Sequence, residues 1–317
     1  MNLLAVNDLD LRIARTGQTL LRDVTVSIER GSIVGLVGES GSGKSMFSLA
    51  LMGLLPTGIE VTGGTAEVAG QPVFRGASHS YDTATRDRIA LVSQNPRAAL
   101  NPTMRIGKQM VRVLRERHRM GKVEARDEAR ELLRKVGISD PTRVERAYPH
   151  QLSGGMCQRV VIAMALSVKA PVLIADEPTT GLDVTIQAQI LLLLKELMAD
   201  GDRAVLMVTH DLAVVSSMCD QVIILYGGQV MEVGPTRDIF LDPVHPYTRF
   251  LLESLEDHVP SADDIGDRVT EASVDFSITG CRFAKRCPFS TELCHREPPP
   301  VRRSGARTVH CHHRGAS

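Results

Sequence analysis

The sequence predicts an α/β protein with a parallel sheet, on three observations. An apolar run, Ile33 to Val37, passes through Gly38-Glu39-Ser40-Gly41-Ser42-Gly43-Lys44-Ser45 into a second apolar run, Met46–Leu55, that stops before Pro56. Short apolar runs at Ile89–Val92, Pro171–Asp176, Ala204–Thr209 and Gln221–Tyr226 are separated by helix-periodic stretches, the pattern of strands joined by crossover helices. One of these runs ends in Asp176-Glu177, at the strand end where such sheets bind ligands.

Taken in order, residues 1–31 read as strands and turns. Val24, Val26 and Ile28 alternate with Thr25, Ser27 and Glu29, the period of a half-buried strand. Gly31 turns the chain into the Ile33 strand. After Ile89–Val92, residues 97–150 look helical and more polar, so that Gln94 to about Met156 forms an inserted helical subdomain. Ala125, Ala129, Leu132, Leu133 and Val136 make an apolar stripe at helical spacing, with Gly137 as its stop. Ile186, Ile190, Leu193, Leu194 and Leu197 line another helix face. From about Gly234 the character changes. His245-Pro246-Tyr247 opens a short helix, the acidic Glu256–Asp267 stretch reads as a linker, and a cysteine-rich tail follows.

Composition narrows the function. With 317 residues, 43% hydrophobic, there is ample material for a core. Zero net charge provides no global field to recruit nucleic acid or anionic membrane. Trp is absent and aromatics are 3%, which argues against nucleic-acid binding by stacking. No run approaches the ~20 apolar residues that span a bilayer, and the N-terminus lacks a basic leader. A cytosolic protein is expected, held at any membrane by partners. Cys157 and Cys219 are isolated and read as small buried hydrophobes, whereas Cys281, Cys287, Cys294 and Cys311 crowd the tail.

The glycine loop has the form G-x-x-x-x-G-K-[ST] between strand and helix, which makes it a phosphate-binding loop. Gly38, Gly41 and Gly43 allow backbone shapes that aim consecutive N–H groups at phosphate oxygens. The following helix start adds its free N–H groups. Lys44 reaches β- and γ-phosphates and the Ser45 hydroxyl ligates Mg²⁺. Asp176 suits Mg²⁺ and Glu177 an attacking water. Leu152-Ser153-Gly154-Gly155-Met156 precedes the apolar Val160–Val168 helix and forms a second anion site. The tail cysteines are separated by 5, 6 and 16 residues, unlike the paired spacing of zinc ribbons. Four thiolates suit either Zn²⁺ or an iron–sulfur cluster, with His295, His310, His312 and His313 as alternative ligands.

These motifs together resemble the ATP-binding subunits of ABC transporters. Leu152–Gly155 is similar to that family's signature, with Met156 in place of the usual Gln, and Gln158-Arg159 continues it. Gln94 matches the Q-loop glutamine, Gly181-Leu182-Asp183 the D-loop, and His210 the switch histidine. The resemblance implies a P-loop ABC ATPase fold with a β subdomain, a helical subdomain over about 95–165, and ATP and Mg²⁺ as ligands. It implies Glu177, His210 and Gln94 as catalytic residues, and Ser45, Gln94 and Asp176 around Mg²⁺. Ser153, Gly154 and Gly155 act at the nucleotide of a second ATPase subunit, expected to be non-identical, and Asp183 of the D-loop is a further nucleotide-binding residue. Where the family usually has an adenine-stacking aromatic, this chain has Ile13-Ala14-Arg15-Thr16, so Arg15 is expected to stack through its guanidinium plane.

Gln94-Asn95-Pro96, Ala99-Leu100-Asn101-Pro102, His245-Pro246-Tyr247-Thr248 and the tail cysteines resemble the oligopeptide and dipeptide importers among them. That implies a 1–235 ATPase domain and a 236–317 extension in which Cys281, Cys287, Cys294 and Cys311 hold a [4Fe–4S] cluster, Zn²⁺ being the alternative. It also implies peptide import at the cytoplasmic face of the bacterial inner membrane. Two permease subunits and a substrate-binding protein would be partners, and nucleic acid would not. ATPases of opine, nickel or glutathione importers, or a soluble non-transport ABC ATPase, are the alternatives.

Overall fold

Two apolar cores, one on each face of a large sheet, organise the chain. The computed structural model describes residues 2–76, 85–196, 198, 201–253 and 274–313. The linker expected over Glu256–Asp267, and Leu197 of the expected helix face, lie outside the described residues. The strands are β1 (Asn2–Ile13), β2 (Thr19–Glu29), β3 (Ile33–Val37), β4 (Ile59–Val68), β5 (Gln71–Arg75), β6 (Ile89–Val92), β7 (Val172–Asp176), β8 (Ala204–Thr209), β9 (Gln221–Tyr226), β10 (Gln229–Pro235), β11 (Val301–Ser304) and β12 (Arg307–His310).

The large sheet has the order β11-β12-β10-β9-β3-β8-β7-β6. From β9 to β6 it is parallel, as expected. The parallel reading needs one correction: β10, β12 and β11 extend the sheet antiparallel. β9 and β10 are joined by Gly227-Gly228, a connection too short to cross over. The central strands are apolar throughout because each is covered on both faces. Along β7, Val172 and Ile174 enter one core while Leu173 and Ala175 enter the other. The first core also takes in a four-stranded antiparallel sheet, β2-β1-β4-β5. Its strands β4 and β5 carried no expectation. The second core takes in the inserted helices Ile106–His118, Lys122–Lys135 and Gly154–Ser167.

The helix expected at Met46–Leu55 runs instead over Lys44–Met52. It starts inside the glycine loop, because Gly43 holds φ +104° as its N-cap, a conformation favouring glycine. It stops at Gly53, φ +65°, whose N–H bonds the Ala50 carbonyl while Leu54 N–H bonds that of Leu49. The Ala125–Val136 stripe is buried as expected and Gly137 turns the chain at φ +76°.

The C-terminal segment is knitted to the rest. β12 pairs with β10 in the register Glu232↔Val309 and Val233↔Thr308. Glu232 is fully buried and accepts the backbone N–H groups of Val244 and His245, at the start of the helix Pro246–Glu253. Phe283 packs edge-on to Tyr226, centroids 5.2 Å apart, and against Tyr247 at 5.2 Å.

Candidate functional site

The carboxyl ends of β3, β6, β7 and β8 deliver most of the expected residues to one cavity of about 610 Å³. Ser40, Gly41, Ser42, Gly43, Lys44 and Ser45 line one wall, and Gln94, Asp176, Glu177 and His210 the other. Residues separated by more than a hundred positions meet because each follows a strand of the same parallel sheet.

Glu177 is the hub. Gln94 Nε2 donates to its Oε2 at 2.7 Å, and the Thr180 hydroxyl to the same oxygen at 2.9 Å. His210 Nδ1 donates to Oε1 at 2.9 Å. Burial pushes the carboxyl up, but the His210 and Thr180 bonds and the Lys44 charge outweigh it and hold the group below its ordinary range. Its backbone sits at φ +43°, with its N–H on the Val208 carbonyl at 2.8 Å, a strained conformation that costs about 1–3 kcal/mol. Asp176, one residue earlier, is raised by burial and then by the Glu177 charge.

Lys44 is buried and folded back on its own loop. Its Nζ donates to the carbonyls of Gly38 at 2.7 Å and Glu39 at 3.0 Å. Burial lowers its pKa, opposed by the charges of Glu177 and Asp176. Glu39 turns away from the cavity: its carboxylate accepts both Arg286 guanidinium nitrogens, at 2.7 and 3.1 Å, and its N–H donates to the Tyr247 hydroxyl.

Ser153, Gly154, Gly155 and Asp183 are not among the residues lining this cavity. Ser153 caps the helix Gly154–Ser167, its hydroxyl accepting Met156 N–H at 3.3 Å. Ser153 is exposed, and Gly154 and Gly155 are half-buried. Asp183 caps the helix Val184–Glu196 through Ile186 N–H. Arg15 is exposed on the β1–β2 turn and is likewise absent from the cavity lining. Thr180, Tyr247, Arg286 and Phe276, which also lines the cavity, were not anticipated. Thr180 alone had a local signal, lying one turn after Glu177.

In the tail, Cys281, Cys294 and Cys311 are buried and Cys287 half-buried. Cys281 N–H bonds the Cys294 carbonyl at 2.8 Å. Gly280 precedes it because a Cβ there would meet that carbonyl oxygen at 2.2 Å. Burial pushes the Cys281 thiol up to about 12, reinforced by the charges of Cys311, Cys287 and Cys294. Among the described residues, no three His, Cys, Asp or Glu side chains are grouped tightly enough to hold one metal ion.

Residues 21–180 match the family model described as ABC transporter, and 231–294 the oligopeptide/dipeptide transporter, C-terminal region. The chain is 42% identical over 304 residues to the oligopeptide transport ATP-binding protein OppD of Salmonella typhimurium, covering 94% of this chain and 89% of that one. It is 39% identical to the dipeptide transport ATP-binding protein DppD of Haemophilus influenzae, covering 98% and 96%. Among solved structures, cbiO1 from Clostridium perfringens, part of an ABC transporter complex, superposes with TM-score 0.65 at 26% identity, over 76% of this chain and 91% of that one. A dimeric post-hydrolysis ATP-binding cassette bound to ADP and Pi gives 0.64 at 28%, over 74% and 99%.

Proposed function

The chain belongs to the ABC transporter ATP-binding proteins, in the branch with the oligopeptide/dipeptide C-terminal region, and from that membership we propose that it is the ATP-hydrolysing subunit of a bacterial peptide importer. The observation that carries the hydrolytic reading is the Glu177 carboxylate, kept ionised and aimed by Gln94, Thr180 and His210 in the cavity of the phosphate loop. ATP is the substrate. Its triphosphate would lie on the N–H groups from Gly41 to Ser45 at the start of the helix Lys44–Met52. Lys44 would turn from its loop carbonyls to the β- and γ-phosphates.

The oxygen donors Ser45, Asp176 and Gln94 line the same cavity and fit Mg²⁺, which would complete its shell with phosphate and water. When bound it neutralises charge on the phosphate oxygens. Glu177 would accept a proton from the attacking water, while Gln94 and His210 hold it in line. The Ser153–Gly155 turn is absent from the lining of its own chain's cavity, which supports action on the nucleotide of a second ATPase subunit. Nucleotide-driven closing and opening of that pair would drive two permease subunits supplied by a substrate-binding protein. None of the described helices is long and apolar enough to cross a membrane, which agrees with attachment to the inner membrane through the permeases.

The chain would then comprise an ATPase domain over 1–235 and an extension over 236–317. In the extension, Cys281, Cys287, Cys294 and Cys311 are the proposed ligands of a [4Fe–4S] cluster. Three of the four are buried in this one segment, and four thiolates are the ligand set of such a cluster, with one zinc ion as the alternative. Its part would be structural, since nothing in ATP hydrolysis needs an electron. The hydrolytic reading is tested with Glu177→Gln, which should bind ATP as the parent does and lose turnover by roughly 10²-fold or more, the scale of general-base catalysis. Unchanged steady-state ATPase activity would remove Glu177 from the role.

A further inference from the structure

A nucleoside triphosphate has two ends, and the cavity is built unevenly for them. The phosphate end is polar. The base is a flat ring with apolar faces, and proteins hold it by stacking on an aromatic or guanidinium plane. The β1–β2 turn has no aromatic ring, since Ile13-Ala14-Arg15-Thr16 stands there. Yet the cavity has one aromatic wall, Phe276, joined by Leu20 of β2. Phe276 also walls an adjoining cavity of about 710 Å³ with Thr16, Gly17, Gln18 and Thr19 of that same turn. The ring therefore sits where the phosphate cavity opens onto the turn.

The ring is held in place from behind and from the side. The Arg282 guanidinium lies 4.9 Å from its centroid. Arg282 is 2% exposed and donates to the carbonyls of Thr19 at 2.7 Å, Leu20 at 3.1 Å and Gly227. The turn that carries the ring is tied by Asp275, which accepts Ser277 N–H at 2.9 Å and pairs with Lys285 at 2.6 Å. Arg22 of β2 donates to the carbonyls of Ile278 at 3.0 Å and Thr279 at 2.6 Å. A ring fixed this way loses little freedom when a base meets it.

We propose that Phe276, from the C-terminal segment, is the base-contacting residue of the nucleotide site, with adenine stacked on its ring and Arg282 backing it. This deepens the ATP reading above and rests on it for the phosphate end. The segment that carries the tail cysteines thus completes the nucleotide site of the same chain. Arg282 follows Cys281 directly, so the ring and the cysteine cluster are anchored by neighbouring residues.

The test compares equilibrium binding of ATP and of inorganic tripolyphosphate, each with Mg²⁺, in the full chain. Phe276→Ala should weaken ATP roughly tenfold or more, the range of one base–aromatic stack, and leave tripolyphosphate affinity unchanged. Phe276→Trp should keep ATP affinity. Because the chain has no other Trp, its indole fluorescence should be quenched by ATP and not by tripolyphosphate. Retained ATP affinity in Phe276→Ala would overturn the proposal. So would equal losses for both ligands, which mark a structural role, or an indole blind to ATP. A parent chain that binds neither ligand would overturn the phosphate-site reading itself, and this proposal with it.

Discussion

At the scale of the residue, Lys44 shows how much is set before any ligand arrives. Its ammonium is buried, which lowers its pKa against the opposing charges of Glu177 and Asp176, and it donates to two loop carbonyls. Phosphate oxygens offer the same contacts with full negative charge, so exchanging partners is favourable. Lys44→Ala should weaken ATP binding by about 1.5–3 kcal/mol, roughly tenfold to a hundredfold. Titration of the variant with ATP measures this, and parent-like affinity would exclude the phosphate contact. Lys44, Ser45, Asp176 and Glu177 were legible because their spacing on a strand–loop–helix unit is local. Arg286 on Glu39 was not legible: the two are 247 positions apart.

At the scale of the element, the inserted helices are secured by one buried carboxylate. Glu145, in the short helix Pro141–Arg146, accepts Arg126 and Arg130 from the helix Lys122–Lys135. Burial would raise its pKa, but the two guanidinium bonds outweigh that and hold it at about 2, against 4.5 unperturbed. A carboxyl depressed by folding stabilises the fold above its unfolded pKa and ceases to as pH falls through the folded one. Its contribution should be complete above about pH 5 and fade between 4.5 and about 2. Glu145→Ala should lower stability by about 1–3 kcal/mol at neutral pH, and flatten the acid limb of a thermal-melting series. An unaltered acid limb would mean the pair is solvent-screened. The apolar stripe of Lys122–Lys135 was readable from its 3.6-residue period. The triad was not, because Glu145 reads as surface until its helix is seen to close against the preceding one.

At the scale of the whole molecule, the C-terminal segment is structurally part of the nucleotide-binding body. β12 continues the main sheet, Phe283 enters the aromatic group around Tyr226 and Tyr247, and Arg286 grips the phosphate loop through Glu39. Cys281, Cys287, Cys294 and Cys311, the proposed cluster ligands, lie in this same segment. Anaerobically purified protein should contain about four irons and four acid-labile sulfides per chain, lost in Cys287→Ser together with several degrees of melting temperature. One zinc per chain, or no metal, would exclude the cluster and leave the ATPase assignment untouched.

The sequence by itself determined the parallel strands, the phosphate loop, the paired acids and the order of the other motifs, because each is written in contiguous residues with the period of a strand or helix. Tertiary structure alone decided that Gln94, Thr180 and His210 converge on one carboxylate, that β10, β12 and β11 extend the sheet antiparallel, and that Phe276 reaches the cavity. Those outcomes depend on which strands become neighbours and where a distant segment returns, and no local period encodes either.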